Sequence, residues 1–158
     1  MMDRLRTLIW YAALVAVILV LHYVAKTYTV VVVDEEYRFM EPTMGPRNTC
    51  FLDRSRSAVE SLRADDLIVF QSYDGRKTRR MFGRVLAGPG ATVASRSGRI
   101  LVGGSESADL PPELTSLDTG LIVPRDTVFV TFDSPRASLP LAKRLVAYRN
   151  IIGRIIGK

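Results

Sequence analysis

The sequence predicts a mainly β protein, an antiparallel domain carried on one N-terminal transmembrane helix. Three observations predict it. An uninterrupted apolar run fills residues 7–25, short β-branched and aromatic runs separated by turn residues come after it, and 158 residues hold one ordinary domain plus a short appendage. Two catalytic domains would not fit. With 47% hydrophobic and 24% charged residues, the chain is not a disordered acidic or basic tail protein.

The apolar run contains 19 residues with no formal charge unless His22 is protonated, about 28 Å of helix at 1.5 Å per residue and close to a bilayer core. The competing reading is a cleaved secretory signal. Its apolar part is usually shorter and ends in a small-x-small site, whereas residues 22–28 (HYVAKTY) offer no such pattern, which favours an uncleaved anchor. Trp10, Tyr11, Tyr23 and Tyr28 sit near the two ends as interfacial aromatics do. Arg4 and Arg6 precede the run and only Lys26 lies close behind it. The expectation is a cytoplasmic tail at 1–6, an anchor at 7–26 and a β domain at 27–158 on the outer side.

Residues 31–158 keep 19 basic and 15 acidic side chains, a mild surplus. Arg76, Lys77, Arg79 and Arg80 cluster around Gly75, which reads first as a solvated hairpin tip; an anionic headgroup or an acidic partner is the other reading. No nucleic-acid motif accompanies them. Cys50 is the only cysteine, so no intrachain disulfide forms, and it is expected to be buried or simply unpaired. The one histidine, His22, lies in the apolar run, which excludes a Cys–His pair in the body.

Strands are expected at residues 27–33 (TYTVVVV), 67–70 (LIVF), 79–86, 92–94, 99–102, 121–123 and 127–132, the last two as a hairpin through Pro124-Arg125-Asp126. Turn residues punctuate them at Ser72 to Gly75, Gly88-Pro89-Gly90, Ser97-Gly98 and Gly103-Gly104. This spacing suits an antiparallel barrel or sandwich-like domain. Residues 105–119 read as a polar surface loop, and residues 54–63 (RSRSAVESLR) as a short helix or an ordered loop. In residues 139–158 apolar and basic residues alternate, and the isoleucines and glycines favour a final strand over an amphipathic tail.

Three segments carry a family resemblance. Phe39-Met40-Glu41-Pro42-Thr43-Met44 is like S-M-E-P-T-L. Met81 to Ala91 (MFGRVLAGPGA) is like Y-V-K-R-V-I-G-L-P-G-D, and comes after Asp66 to Phe70 (DLIVF), like G-D-I-V-V-F. Val123-Pro124 through Leu139 is like V-P-x-G-x-Y-F-V-M-G-D-N-x-x-x-S. In this order and behind an N-terminal anchor they resemble bacterial signal peptidase I, the membrane serine proteases that remove leader peptides. The terminal Asn150-Ile151-Ile152-Gly153-Arg154 also resembles that family's last strand.

The resemblance implies a signal-peptidase-like β domain on the periplasmic or extracellular side of the bacterial inner membrane, with no cofactor and no metal. It also implies a peptide groove at Tyr37, Phe39, Met40, Pro42, Phe82, Gly83, Arg84 and Ser138. The family's serine attacks the peptide carbonyl while a desolvated lysine takes the proton. Here the serine slot is Phe39 and the lysine slot is Gly83, neither of which offers the needed atom. The side-chain oxyanion donor falls on Tyr37, G-D-N has become Phe132-Asp133-Ser134, and Ser138 matches the serine that orients the lysine. Arg84 adjoins Gly83 but stays protonated and points to the other face. Losing one member of such a constellation costs about a million-fold in turnover.

The chain is therefore expected to be an inactive relative that binds peptide segments or acts as a structural subunit of an envelope complex, with an exported peptide or an envelope protein subunit and the bilayer as its partners and no nucleic acid. The rival is an active leader peptidase that uses another hydroxyl such as Thr43 or Ser138.

Overall fold

The computed structural model describes residues 2–34, 37–73, 75, 77–96, 99–109, 117, 120–134, 137 and 139–157. Helix α1 (Met2–Thr27) takes in most of the expected tail and all of the expected anchor. Within Arg6–Thr27 its most apolar 18-residue window has a mean hydropathy of 2.3, and none of that window is buried against the rest of the protein. The helix is long and apolar enough to cross a bilayer.

Strand β1 (Tyr28–Val32) continues from the helix without a linker and pairs with β2 (Thr49–Asp53), a strand with no counterpart in the sequence expectations. Residues 54–63 resolve as a short helix, α2 (Arg56–Glu60), because the Ser55 hydroxyl accepts the Ala58 N–H at 3.2 Å and caps it. Then come β3 (Leu67–Tyr73) and β4 (Thr78–Ala87), paired in unbroken register from Leu67↔Arg84 to Tyr73↔Thr78. The remaining elements are β5 (Thr92–Arg96), β6 (Arg99–Val102), β7 (Ser105–Asp109), β8 (Leu121–Ile122), β9 (Thr127–Thr131), α3 (Leu141–Arg144), β10 (Leu145–Ala147) and β11 (Ile151–Gly157).

The strands form two sheets in which every pairing is antiparallel. Seven run in the order β1-β2-β11-β3-β4-β9-β10 and four in the order β7-β6-β5-β8. The mainly β expectation therefore holds.

Two local expectations do not. Residues 105–109, read as loop, form β7, because Gly103 and Gly104 both take positive φ and close the two-residue turn that pairs Val102 with Ser105. The segments at 121–123 and 127–132 do not form a hairpin with each other. Val123 exchanges hydrogen bonds with the 88–91 turn (N–H to Ala91 at 2.9 Å, C=O from Gly90 at 2.9 Å), so β8 joins β5 while β9 joins β4 in the other sheet.

The expected final strand is β11, held between β2 and β3. Gly153 permits that insertion, since a Cβ there would lie 2.7 Å from the Asp53 carbonyl oxygen.

Two apolar clusters hold the domain. One gathers Met40, Met44, Cys50, Leu52, Ile68, Phe70, Phe82 and Val130; the other gathers Leu86, Val93, Ile100, Leu117, Val123 and Phe129. Strands β4 and β9 supply side chains to both, which ties the sheets together and fixes the level of β4 relative to the loop between β1 and β2.

Candidate functional site

That loop is drawn shut at its base, where the Val33 N–H bonds to Asn48 O at 2.9 Å and the Arg47 N–H to Val33 O at 3.0 Å. Between these points the chain turns on Tyr37 N–H to Asp34 O and Met44 N–H to Met40 O, and the Glu41–Pro42 peptide is cis. Met40 and Met44 are fully buried and root the turn in the core. The side chains of Tyr37, Phe39 and Thr43 are left half-buried.

Tyr37 reaches β4. Its hydroxyl accepts the Phe82 N–H at 3.0 Å and donates to the Phe82 carbonyl. Burial pushes this phenol well above its ordinary range, opposed by the bond to Phe82 and reinforced by the negative charge of Asp133.

The Tyr37 ring also begins an aromatic chain. It lies 5.2 Å from Phe82 and 5.2 Å from Phe39, and Phe39 meets Phe132 edge-on at 5.8 Å. Arg144, wholly buried, caps the far end with its guanidinium 5.2 Å from the Phe132 ring centre, while donating to Leu139 O at 3.1 Å and Ala137 O at 3.4 Å. Phe39 O in turn accepts the Ser134 N–H at 2.9 Å, which docks the segment after β9 onto the loop.

Gly83 is buried one residue along β4. A Cβ there would stand 3.2 Å from Phe70 Cε1, 3.4 Å from Val130 Cβ and 3.5 Å from Thr131 O, an apolar setting. Arg84 faces the other way, as strand alternation requires. Its Nε and Nη2 grip Asp133 at 2.9 and 2.6 Å, its Nη1 donates to Asp65 O at 3.2 Å, and Thr43 Oγ1 lies 3.5 Å from Nη2. The bond to Asp133 raises the Arg84 pKa further, so this group is a fixed cation and no proton acceptor.

Beside the aromatic chain opens a cleft of about 710 Å³, lined by Tyr37 and Phe39 together with Thr78, Arg79, Arg80, Met81 and Lys143, among others. Of the groove residues expected from sequence, these two line it. Met40, Phe82 and Gly83 are buried, Pro42 is exposed on the turn, Arg84 is engaged with Asp133, and Ser138 lies outside the described residues.

Sequence reasoning missed the cleft's basic side. Arg79 and Arg80 were visible only as a charge run, and nothing in the linear pattern brings Lys143, more than sixty residues away, to the same cleft. Ser72 and Thr78 also line the cleft with Lys143. Among the described residues no three His, Cys, Asp or Glu side chains gather as a metal site needs.

Residues 6–139 match the family model described as signal peptidase, peptidase S26. Among solved structures, a signal peptidase I from Enterococcus faecalis V583 is similar, at 22% identity and a TM-score of 0.45, over 59% of this chain and 95% of that one. No curated protein matches the chain.

Proposed function

The chain belongs to the signal peptidase S26 family, and from that premise we propose that it is a catalytically silent member, anchored in the bacterial cytoplasmic membrane, that holds an extended peptide or serves as a structural subunit of an envelope assembly. The observation that carries this reading is Phe39. At the position matching the family's nucleophile stands a ring packed between Tyr37 and Phe132, with no hydroxyl to activate.

The other matched positions agree. At 83 there is a glycine among Phe70 and Val130, and at 37 a hydroxyl already committed to Phe82. Thr43 Oγ1 lies 3.5 Å from the Arg84 guanidinium, which is no base. There remains a cleft beside a strand, and recognition by added main-chain hydrogen bonds requires no nucleophile.

The membrane part of the reading rests on α1 and on the apolar face of the strand that continues it. Tyr28, Val30 and Val32 lie on the exposed face of β1, and Phe51, paired with Val30, extends that face. With Arg4 and Arg6 before the helix, the β domain belongs on the periplasmic or extracellular side.

Extraction of the full chain in mild detergent tests the role. A partner co-purifying in fixed stoichiometry is the result expected of a structural subunit, and a peptide captured transiently by cross-linking is that expected of a binder. A chain that does neither and instead shortens added pre-protein overturns the proposal.

A further inference from the structure

Thr78, Arg79, Arg80 and Met81 line the cleft as one stretch of β4. On the side away from β3, β9 pairs with β4 only from Arg84 to Ala87, and no described residue forms a strand beside residues 78–83. In an antiparallel ladder the N–H and C=O of one residue point the same way. Both groups of Phe82 meet the Tyr37 hydroxyl, so they face away from β3, and those of Arg80, two residues back, share that direction. Tyr37 thus closes the open edge at Phe82, and the edge at Thr78 to Arg80 continues along the cleft. Such an edge is a template for an added strand.

The charge and polarity of the lining narrow the chemistry of that strand. Arg79, Arg80 and Lys143 share the lining with one described carboxylate, Asp34, and with the apolar or aromatic side chains of Tyr37, Phe39, Met81 and Leu139. Side chains of an added strand alternate between two faces. We propose, resting on the peptide-binding reading above, that the cleft selects an extended segment of alternating acidic and apolar residues laid along Thr78 to Arg80. Its carboxylates meet Arg80 and Lys143, and its apolar side chains rest on the aromatic lining. Headgroups of an anionic bilayer share the charge of such a segment but lack the main chain that pairs with the strand edge.

The test uses the full chain in nanodiscs of zwitterionic lipid. Fluorescence anisotropy monitors a labelled peptide of alternating Glu and Leu, and the same peptide with Gln in place of Glu. The acidic peptide is expected to bind on the order of tenfold more tightly at low salt, from a few partly exposed ion pairs. That preference shrinks as salt is added. Arg80→Glu and Lys143→Glu, both lining the cleft, should reverse the preference, and Asp34→Asn should widen it.

Equal binding of the two peptides, or a preference unchanged in both charge reversals, overturns the acidic selection while the peptide-binding reading stands. If neither peptide binds, both fall. If both peptides stay silent while anionic phosphatidylglycerol vesicles bind through Arg80 and Lys143, the basic lining belongs to lipid and the proposal is overturned.

Discussion

The Tyr37 hydroxyl holds both main-chain groups of Phe82, accepting its N–H at 3.0 Å and donating to its carbonyl. One side chain thereby does at that point what a neighbouring strand would do, and it closes the edge of β4 beside the family's lysine position. Tyr37→Phe keeps the ring contacts and removes the bond, leaving two part-buried polar groups unsatisfied. The expected loss is about 1–2 kcal/mol, read by thermal or denaturant unfolding in detergent.

The same residue gives a pH dependence with a definite sign. Because burial raises its pKa in the folded state, folded protein keeps the phenol proton to higher pH than unfolded protein. Stability from this group is intact below the unfolded value of about 10 and declines as pH rises beyond it. Tyr37→Phe should flatten the alkaline loss of stability, and the Tyr37 phenol should be absent from the early phenolate absorbance rise of the wild type.

Arg84 and Asp133 form a two-bond ion pair at the site, with side chains 25% and 13% exposed. Asp133→Asn leaves a half-buried guanidinium facing a neutral amide, and a loss of about 1–3 kcal/mol is expected. Arg84→Met combined with Asp133→Leu should be milder than the sum of the two single changes, a coupling that a double-mutant cycle measures.

Phe39 is held by rings on two sides but is only half-buried, so Phe39→Ala should cost about 1–3 kcal/mol, less than a fully buried phenylalanine. Phe39→Ser returns the family's hydroxyl to its position, yet hydrolysis of pre-protein should remain absent because position 83 supplies no base.

Gly83→Lys places an amine against Phe70 and Val130, where a Cβ is already tight at 3.2 Å. Stability should fall, and desolvation should lower the amine's pKa. A pH titration of unfolding free energy checks this, with the variant recovering relative stability as the pH rises.

How far the sequence revealed all this depends on the range of the interaction. The β-branched runs at 28–32 and 67–70 and the turn glycines betray their strands because alternation and φ preferences are local. Residues 105–109 (SESAD) carry no strand propensity and pair only because the Gly103-Gly104 turn folds them onto β6. Positions 39 and 83 are singled out by the motifs around them, which are contiguous in the chain. The Arg84 grip on Asp133, the buried Arg144 over Phe132 and the sharing of one cleft by Lys143 and Arg80 join residues far apart in the chain or depend on burial, and no linear period marks them.

The most direct measurement incubates the purified full chain at equimolar concentration with a pre-protein and monitors both by intact mass. The pre-protein mass should stay unchanged throughout. A shortened product whose formation is lost with Lys143→Ala, Ser72→Ala or Thr43→Val would contradict the account, because the domain would then hold a working nucleophile and base after all.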